Sequence, residues 1–142
     1  MEKKKDLADK LRSSGLRPTK QRIRLAECLF NRPKTFHFTV EYLDKVINRK
    51  GSDEKVSLAT IYNTVHAFKK AGHLKEILLK EGKSYFDTNI TTHHHFYDAA
   101  NNELIDIEEN NIELKKFPTP PKGKSIKNVN VIINIDNDTQ NH

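Results

Sequence analysis

The stretch SLATIYNTVHAFKKAG, residues 57–72, decides how the rest of the chain is read. Ser57 has the side chain of a helix N-cap and Gly72 that of a helix stop, so the span between them reads as one helix. At about 100° per residue, Leu58, Ile61, Val65 and Phe68 fall in one sector about 80° wide, which predicts the buried face. Ala59, Thr60, Asn63, Ala67 and Lys70 occupy the opposite side, flanked by Tyr62 and His66. That outer side carries small or hydrogen-bonding groups and no acid, so it can enter a DNA groove without repelling phosphate. Tyr62, at a flanking angle, is also suited to filling the core with its hydroxyl at the rim.

Working outward, three shorter helical patterns come first. Leu7, Ala8 and Leu11 make an amphipathic opening that Gly15 breaks. Arg17-Pro18-Thr19 then sets a cap for a helix with Ile23, Ala26, Leu29 and Phe30 inward, ended before Pro33. Thr39 caps a third, with Val40, Leu43, Val46 and Ile47 inward, running to Gly51. On the other side of the stretch, LKEILLKEGKSYFDT reads as a hairpin around Glu81-Gly82. Helices followed by a hairpin predict a winged helix-turn-helix over residues 1–87.

From Thr88 the texture changes to short strands, FYD, ELIDI and SIKNVNVIINI, with a helix-like EENNIELKKF between the last two. Pro118, Pro120 and Pro121 keep the approach to the final strand extended. That strand is apolar on both faces from Val131 to Ile133, so it is an inner strand or one covered by another subunit. Residues 88–142 hold too little core for a free domain and read as a dimerisation module. The tail NDTQNH is polar and expected to fray.

The 142 residues carry a net charge of +6 with 31% charged and 35% hydrophobic side chains, which suits one domain or two small ones that bury more on association. The charge is uneven: residues 1–87 have 20 Lys and Arg against 11 Asp and Glu, or +9, and residues 88–142 have 5 against 8, or −3. A basic front half is the electrostatic footprint of nucleic-acid binding. Arg17, Lys20, Arg22 and Arg24 gather at the start of the second helix, where unpaired N–H groups also favour an anion, so phosphate contact is the expected use. No apolar run reaches the roughly 20 residues of a membrane helix, and the N-terminus is not a secretory signal, so a cytoplasmic protein with no membrane partner is expected. The single cysteine, Cys28, allows no internal disulfide and no all-cysteine zinc site, and beside the Ile23 stripe it reads as a small buried hydrophobe.

The second chemical signal is THHHFYD, residues 92–98. On an extended strand His93 and His95 share one face and His94 takes the other. Two same-face imidazoles are half of a transition-metal site, and carboxylates complete an N/O set of the kind ferrous iron accepts. Asp87 and Asp106 are near enough in sequence to fold toward the pair, although either alone is more often a surface carboxylate. His37 by itself reads as a loop histidine. A metallohydrolase built on His93, His95 and Asp87 lacks a spare general base and an oxyanion donor cluster, so no enzyme activity is expected.

LRPTKQR, VSLATIYNTVHAF, AGHLKE and KSYFDTNITTHHHFYD, in this order and spacing, resemble the ferric uptake regulator family, and within it the iron response regulator branch of alphaproteobacteria. The resemblance runs over residues 7–135. It implies an α+β fold, an N-terminal winged helix-turn-helix followed by a small α/β dimerisation domain, with metal at the joint. It also implies a homodimer that binds a palindromic or near-palindromic promoter site and regulates iron-dependent genes in response to haem or ferrous iron; peroxide sensing, or zinc or manganese sensing, is the alternative. Carried over by position, Tyr62 matches the base-contacting tyrosine, Asn63 stands where many members have arginine, and Arg17 matches a minor-groove residue; Lys20 and Thr60 complete the expected DNA contacts. The regulatory metal, Fe2+, Mn2+ or Zn2+, falls on His37, Asp87, His93 and His95, with Asp106 as fifth ligand. Aspartate at 87 in place of the commoner glutamate makes this set similar to that of the family's peroxide sensors. The triplet His93, His94 and His95 is the feature the branch associates with haem. The family's C-x-x-C, which holds a structural zinc, is replaced here by Asp98 and Asn101, so a cysteine-based structural zinc is not expected. A second metal site would have Glu113 as its acid, but the last strand offers Val129 and Asn130 in place of histidine.

Overall fold

Among the described residues, three of the four α-helices start at a hydroxyl side chain. The computed structural model describes residues 3–51, 54–79 and 82–138. It resolves into two compact units, Met1–Ile90 and Thr91–His142. In the first, α1 (Lys4–Ser13) is followed by α2 (Lys20–Phe30), β1 (His37–Phe38), α3 (Val40–Ile47), α4 (Leu58–Lys70), β2 (Lys75–Leu78) and β3 (Ser84–Asp87). Thr19 accepts the Arg22 N–H at 3.2 Å, Thr39 the Tyr42 N–H at 3.1 Å and Ser57 the Thr60 N–H at 3.1 Å. Each such cap contributes about 1 kcal/mol by satisfying a donor that the first helical turn leaves unpaired.

Two of the helix ends are built alike. After α1 the Gly15 N–H donates to the Arg12 carbonyl and the Leu16 N–H to the Leu11 carbonyl; after α4 the Gly72 N–H donates to Lys69 and the His73 N–H to Phe68. The glycines have φ of 86° and 90°, the left-handed conformation that this paired-carbonyl stop requires and that a side chain resists. His73, just past the second stop, places its ring edge-on to Phe68 at 6.3 Å and sets Nε2 2.7 Å from the Ser14 hydroxyl at the first stop. One imidazole thus ties together the C-terminal ends of α1 and α4.

The core of this unit is the product of the helical stripes. Leu7 and Leu11 from α1, Leu25, Ala26 and Leu29 from α2, Leu43 and Ile47 from α3, and Ile61, Val65 and Phe68 from α4 are all buried. Three expectations shift in detail. Ile23, Phe30 and Cys28 pack against the core while only partly buried. Leu58, in the first turn of α4, is 53% exposed, and Thr64 joins the buried residues of that helix. Helix α3 ends at Ile47, where Asn48 turns its amide onto the Val56 backbone from both sides, accepting its N–H and donating to its carbonyl at 2.7 Å each.

β1, β3 and β2 form an antiparallel sheet in that order, with His37 opposite Asp87 and Leu78 opposite Ser84. The hairpin expected from the sequence is β2–β3; Glu81 of its turn lies outside the described residues, and Gly82 has the positive φ, 73°, that suits a turn glycine. Glu76 braces the hairpin to α4. Burial raises its carboxyl, but hydrogen bonds from Lys69 and Ser84 and the charges of Lys69 and His66 prevail and hold it below the usual carboxylate range.

The second unit is a three-stranded sheet in the order β5 (Glu103–Ile107), β4 (His94–Asp98), β6 (Ile132–Ile135). β5 runs antiparallel to β4 and β6 parallel to it. The helix-like segment is a single 3-10 turn, Glu109–Asn111, before the proline-bearing extended stretch. β6 lies at the edge of this sheet among the described residues, so within one chain it is not the inner strand, the first of the two expectations for it; Ile133 is 40% exposed there. Leu104 and Ile107 are this unit's buried aliphatic side chains among the described residues. The β4–β5 turn is closed by Asp98, whose Oδ1 accepts the Ala100 and Asn101 N–H groups and whose Oδ2 accepts from the Asn101 amide at 2.8 Å. The tail beyond residue 138 lies outside the described residues.

His73 supplies a pH dependence with a definite sign. Burial, followed by the charge of Lys10, lowers its pKa below the ordinary value. The folded state therefore resists the proton that the unfolded chain accepts, and stability present above about pH 6.5 is lost as the pH falls below it. Urea unfolding of wild type and His73→Phe at pH 7.5 and pH 5 should show wild type losing stability relative to the variant on acidification. A pH-independent difference would exclude this role.

Candidate functional site

The second unit concentrates nitrogen and oxygen donors at the start of β4. His95 pairs directly with Asp106 across the β4–β5 ladder, and its Nε2 lies 3.3 Å from Asp106 Oδ1. His93 Nε2 lies 3.4 Å from the same oxygen, and the two imidazole rings stand 4.5 Å apart at 62°. The ligand atoms of these three residues lie within 4.8 Å of one another. His93 and His95 are buried, whereas Asp106 is exposed. His93 Nδ1 sits 2.7 Å from the Thr91 carbonyl, which can only accept, so that nitrogen carries a proton and Nε2 is the nitrogen turned to Asp106. An imidazole nitrogen facing a carboxylate is stable with a cation or proton between them. A backbone carbonyl orienting the far nitrogen is also what a metal-binding imidazole needs.

The first unit has its own pair. His37 on β1 and Asp87 on β3 are cross-strand partners, with Nε2 3.3 Å from Oδ2. Asp87 is 1% exposed, and its Oδ1 accepts the Asn89 N–H at 2.8 Å. A two-residue strand holds little by itself, so the register is fastened from outside. Phe36 donates its N–H to the Thr88 hydroxyl at 3.0 Å, Thr88 returns its N–H to the Phe36 carbonyl, and Phe38 stacks on Phe86 at 5.8 Å.

The histidines of the triplet make two different sets of contacts. His93 and His95 meet at Asp106, while His94 Nδ1 accepts the Val131 N–H at 3.0 Å and so ties β4 to the approach of β6. Strand alternation in the sequence separates His94 from its neighbours; its bond to a residue 37 positions away has no sequence signal. Glu113, the acid considered for a second metal site, is exposed.

On α4, Tyr62 is 52% exposed, and Asn63 is exposed beside it. Thr60 is engaged in the cap: its Oγ accepts the Ser57 hydroxyl at 2.8 Å while its N–H donates to Ser57. Arg17 and Lys20 are exposed, and Lys20 reaches Glu54 at 3.4 Å. Arg24, grouped with them in sequence, has a different task. Its guanidinium donates to the Ile47 and Glu54 carbonyls and fastens α2 to the end of α3. Sequence reasoning missed this because a carbonyl at a helix end leaves no mark in side-chain identity. No helix among the described residues is long and apolar enough to cross a membrane.

Residues 13–134 match the model of the ferric uptake regulator family. The chain is 31% identical over 103 residues to the peroxide operon regulator of Bacillus subtilis (strain 168), covering 72% of this chain and 68% of that protein. It is 30% identical over 107 residues to the ferric uptake regulation protein of Klebsiella pneumoniae, covering 75% and 67% respectively. In fold it is similar to the Vibrio cholerae ferric uptake regulator, with a TM-score of 0.67 at 22% identity over 91% of this chain and 98% of that one. The Pseudomonas aeruginosa ferric uptake regulator with manganese gives the same TM-score of 0.67 at 22% identity, over 91% and 96%. Family match, relatives and fold agree on one class of protein, and that class regulates transcription by binding DNA and is not enzymatic. The chain belongs to the ferric uptake regulator family and is a DNA-binding transcriptional regulator with a cluster of histidine and aspartate donors suited to a divalent metal.

Proposed function

We propose that one divalent ion, ferrous iron in the working protein, is bound jointly by the His37–Asp87 pair and by His93, His95 and Asp106, and that its binding controls affinity for promoters of iron-dependent genes. The observation that carries this reading is the pair of incomplete donor sets, each built on an imidazole–aspartate contact and separated along the chain by only five residues, 88–92. Three imidazoles and two carboxylates suit ferrous iron, manganese or zinc, and no thiolate biases the set toward a softer ion. The ion would supply charge to hold these donors together, and the donors' own contribution is orientation through Thr91, Asn89 and the β1–β3 register.

DNA is read by residues 1–87 through α4, with Tyr62 and Asn63 at base edges, Thr60 at the helix start, and Arg17 and Lys20 on the backbone. Residues 88–142 form the homodimer, which fits a palindromic site and supplies a cover for the exposed apolar side chains on and around the second sheet, in a cytoplasmic protein. A peroxide sensor of the same family is the second reading, favoured by the aspartate at 87 and the histidine-rich set around it. Membership of the iron response regulator branch, with haem on His93, His94 and His95, would require His94 to give up its bond from Val131; that contact favours an ion over haem.

Manganese, a redox-stable stand-in for ferrous iron, should bind the full chain with at least tenfold lower affinity after His37→Ala and after Asp106→Ala, by calorimetry. Haemin absorption should be unaltered by His37→Ala. Undiminished manganese affinity in His37→Ala would rule out the joint site.

The DNA contacts separate by salt and by sequence. Arg17→Ala and Lys20→Ala should each reduce the slope of log affinity against log salt by about one unit for the phosphate contact removed. Tyr62→Phe should cost about 1 to 3 kcal/mol on an operator selected from random DNA and far less on non-cognate DNA. Equal losses on both would make Tyr62 a packing residue.

A further inference from the structure

Tyr62 is exposed, and an exposed aromatic side chain reads a base reproducibly only if something sets the plane of its ring. One helical turn later, His66 lies against it, with ring centroids 4.6 Å apart at 41°. On another side His66 meets Phe86 of β3 at 5.7 Å and 89°, an edge-to-face contact. Phe86 is 2% exposed and stacks on Phe38 of β1 at 5.8 Å and 29°. Asp87 follows Phe86 in β3, and His37 precedes Phe38 in β1, so the last two rings belong to the strand pair that brings His37 and Asp87 together. Four contacting rings thus run from the exposed tyrosine to the imidazole–carboxylate pair.

The choice of histidine at 66 carries information. Its Nε2 is enclosed and makes no hydrogen bond to the described residues, so beyond the charge it lends to Glu76 the ring's role is one of shape. A tilted contact to Tyr62 and a perpendicular one to Phe86 both require a flat side chain; a leucine would fill the volume without setting the plane of the tyrosine. Close-packed rings also cannot shift independently, so a change in the separation of β1 and β3 is felt at position 66.

We propose that His66 is the positioning residue that sets the Tyr62 ring for base reading and relays to it, through Phe86, the state of the His37–Asp87 pair. The proposal rests on the reading of α4 as the DNA-reading helix and of His37 and Asp87 as metal ligands. Its test uses the full-length protein, an operator selected by wild type from random DNA, and fluorescence anisotropy on that operator and on random-sequence DNA, with manganese or with chelator.

His66→Leu should lower the ratio of operator to random affinity by about tenfold, the scale of one lost base contact. It should also remove most of the manganese-induced gain in operator affinity while manganese binding without DNA is unchanged. His66→Phe, which keeps a flat ring, should restore both. In a Tyr62→Ala background, His66→Leu should lower the ratio no further. An unchanged ratio and manganese response in His66→Leu overturns the proposal. So does equal loss on both DNAs, or a loss that His66→Phe fails to restore. A wild type whose operator affinity ignores manganese sinks the metal reading and the relay with it, whereas a responsive wild type with an equally responsive His66→Leu sinks the relay alone.

Discussion

Asp87 is a carboxylate with 1% of its surface exposed, and such a group is sustained only by compensating partners. One oxygen takes the Asn89 N–H and the other faces His37, and meeting these demands organises the region around it. His37 must arrive on a strand paired with β3, so the chain between α2 and α3 is drawn into the hairpin sheet as a two-residue strand. The Phe36–Thr88 bonds and the Phe38–Phe86 stack exist at that strand because its own ladder is too short to hold register. The hairpin, the entry to α3 and the His37–Asp87 pair are therefore one mechanical assembly.

The second unit solves a related problem with fewer means. It has little buried aliphatic surface, so its order rests on the β4 ladders and on side chains that take over backbone duties. His94 receives the Val131 N–H where β6 begins, and Asp98 gathers two backbone N–H groups and an amide at the β4–β5 turn. The hydrogen bonds of Asp98 and Asn101 close that turn with carboxylate and amide groups. Adjacent histidines have different contacts: His94 accepts a backbone N–H, and His93 and His95 face a carboxylate.

Much of this was legible in the chain itself. The caps Thr19, Thr39 and Ser57, the stops Gly15 and Gly72, the buried face of α4 and the winged helix-turn-helix follow from local chemistry, because capping and helical periodicity act over three or four residues. The same-face placement of His93 and His95 follows from the two-residue repeat of a strand. The charge asymmetry located the basic half.

Tertiary structure decided whatever depends on which distant segment arrives. His37 reads as a loop histidine until β1 pairs with β3, and Asp106 as a surface acid until register sets it opposite His95. Arg24 looks like one of four phosphate-binding cations until the end of α3 presents carbonyls to it, and Leu58 looks buried by its place on the helical stripe but is half exposed in the folded chain. The apolar β6 reads as an inner strand or one covered by another subunit, and within one chain its pairing with β4 alone places it at the edge. Each difference has one physical cause. Side-chain identity records what a residue can do within a turn or a strand, while the partner that selects among those abilities is set by long-range pairing and packing.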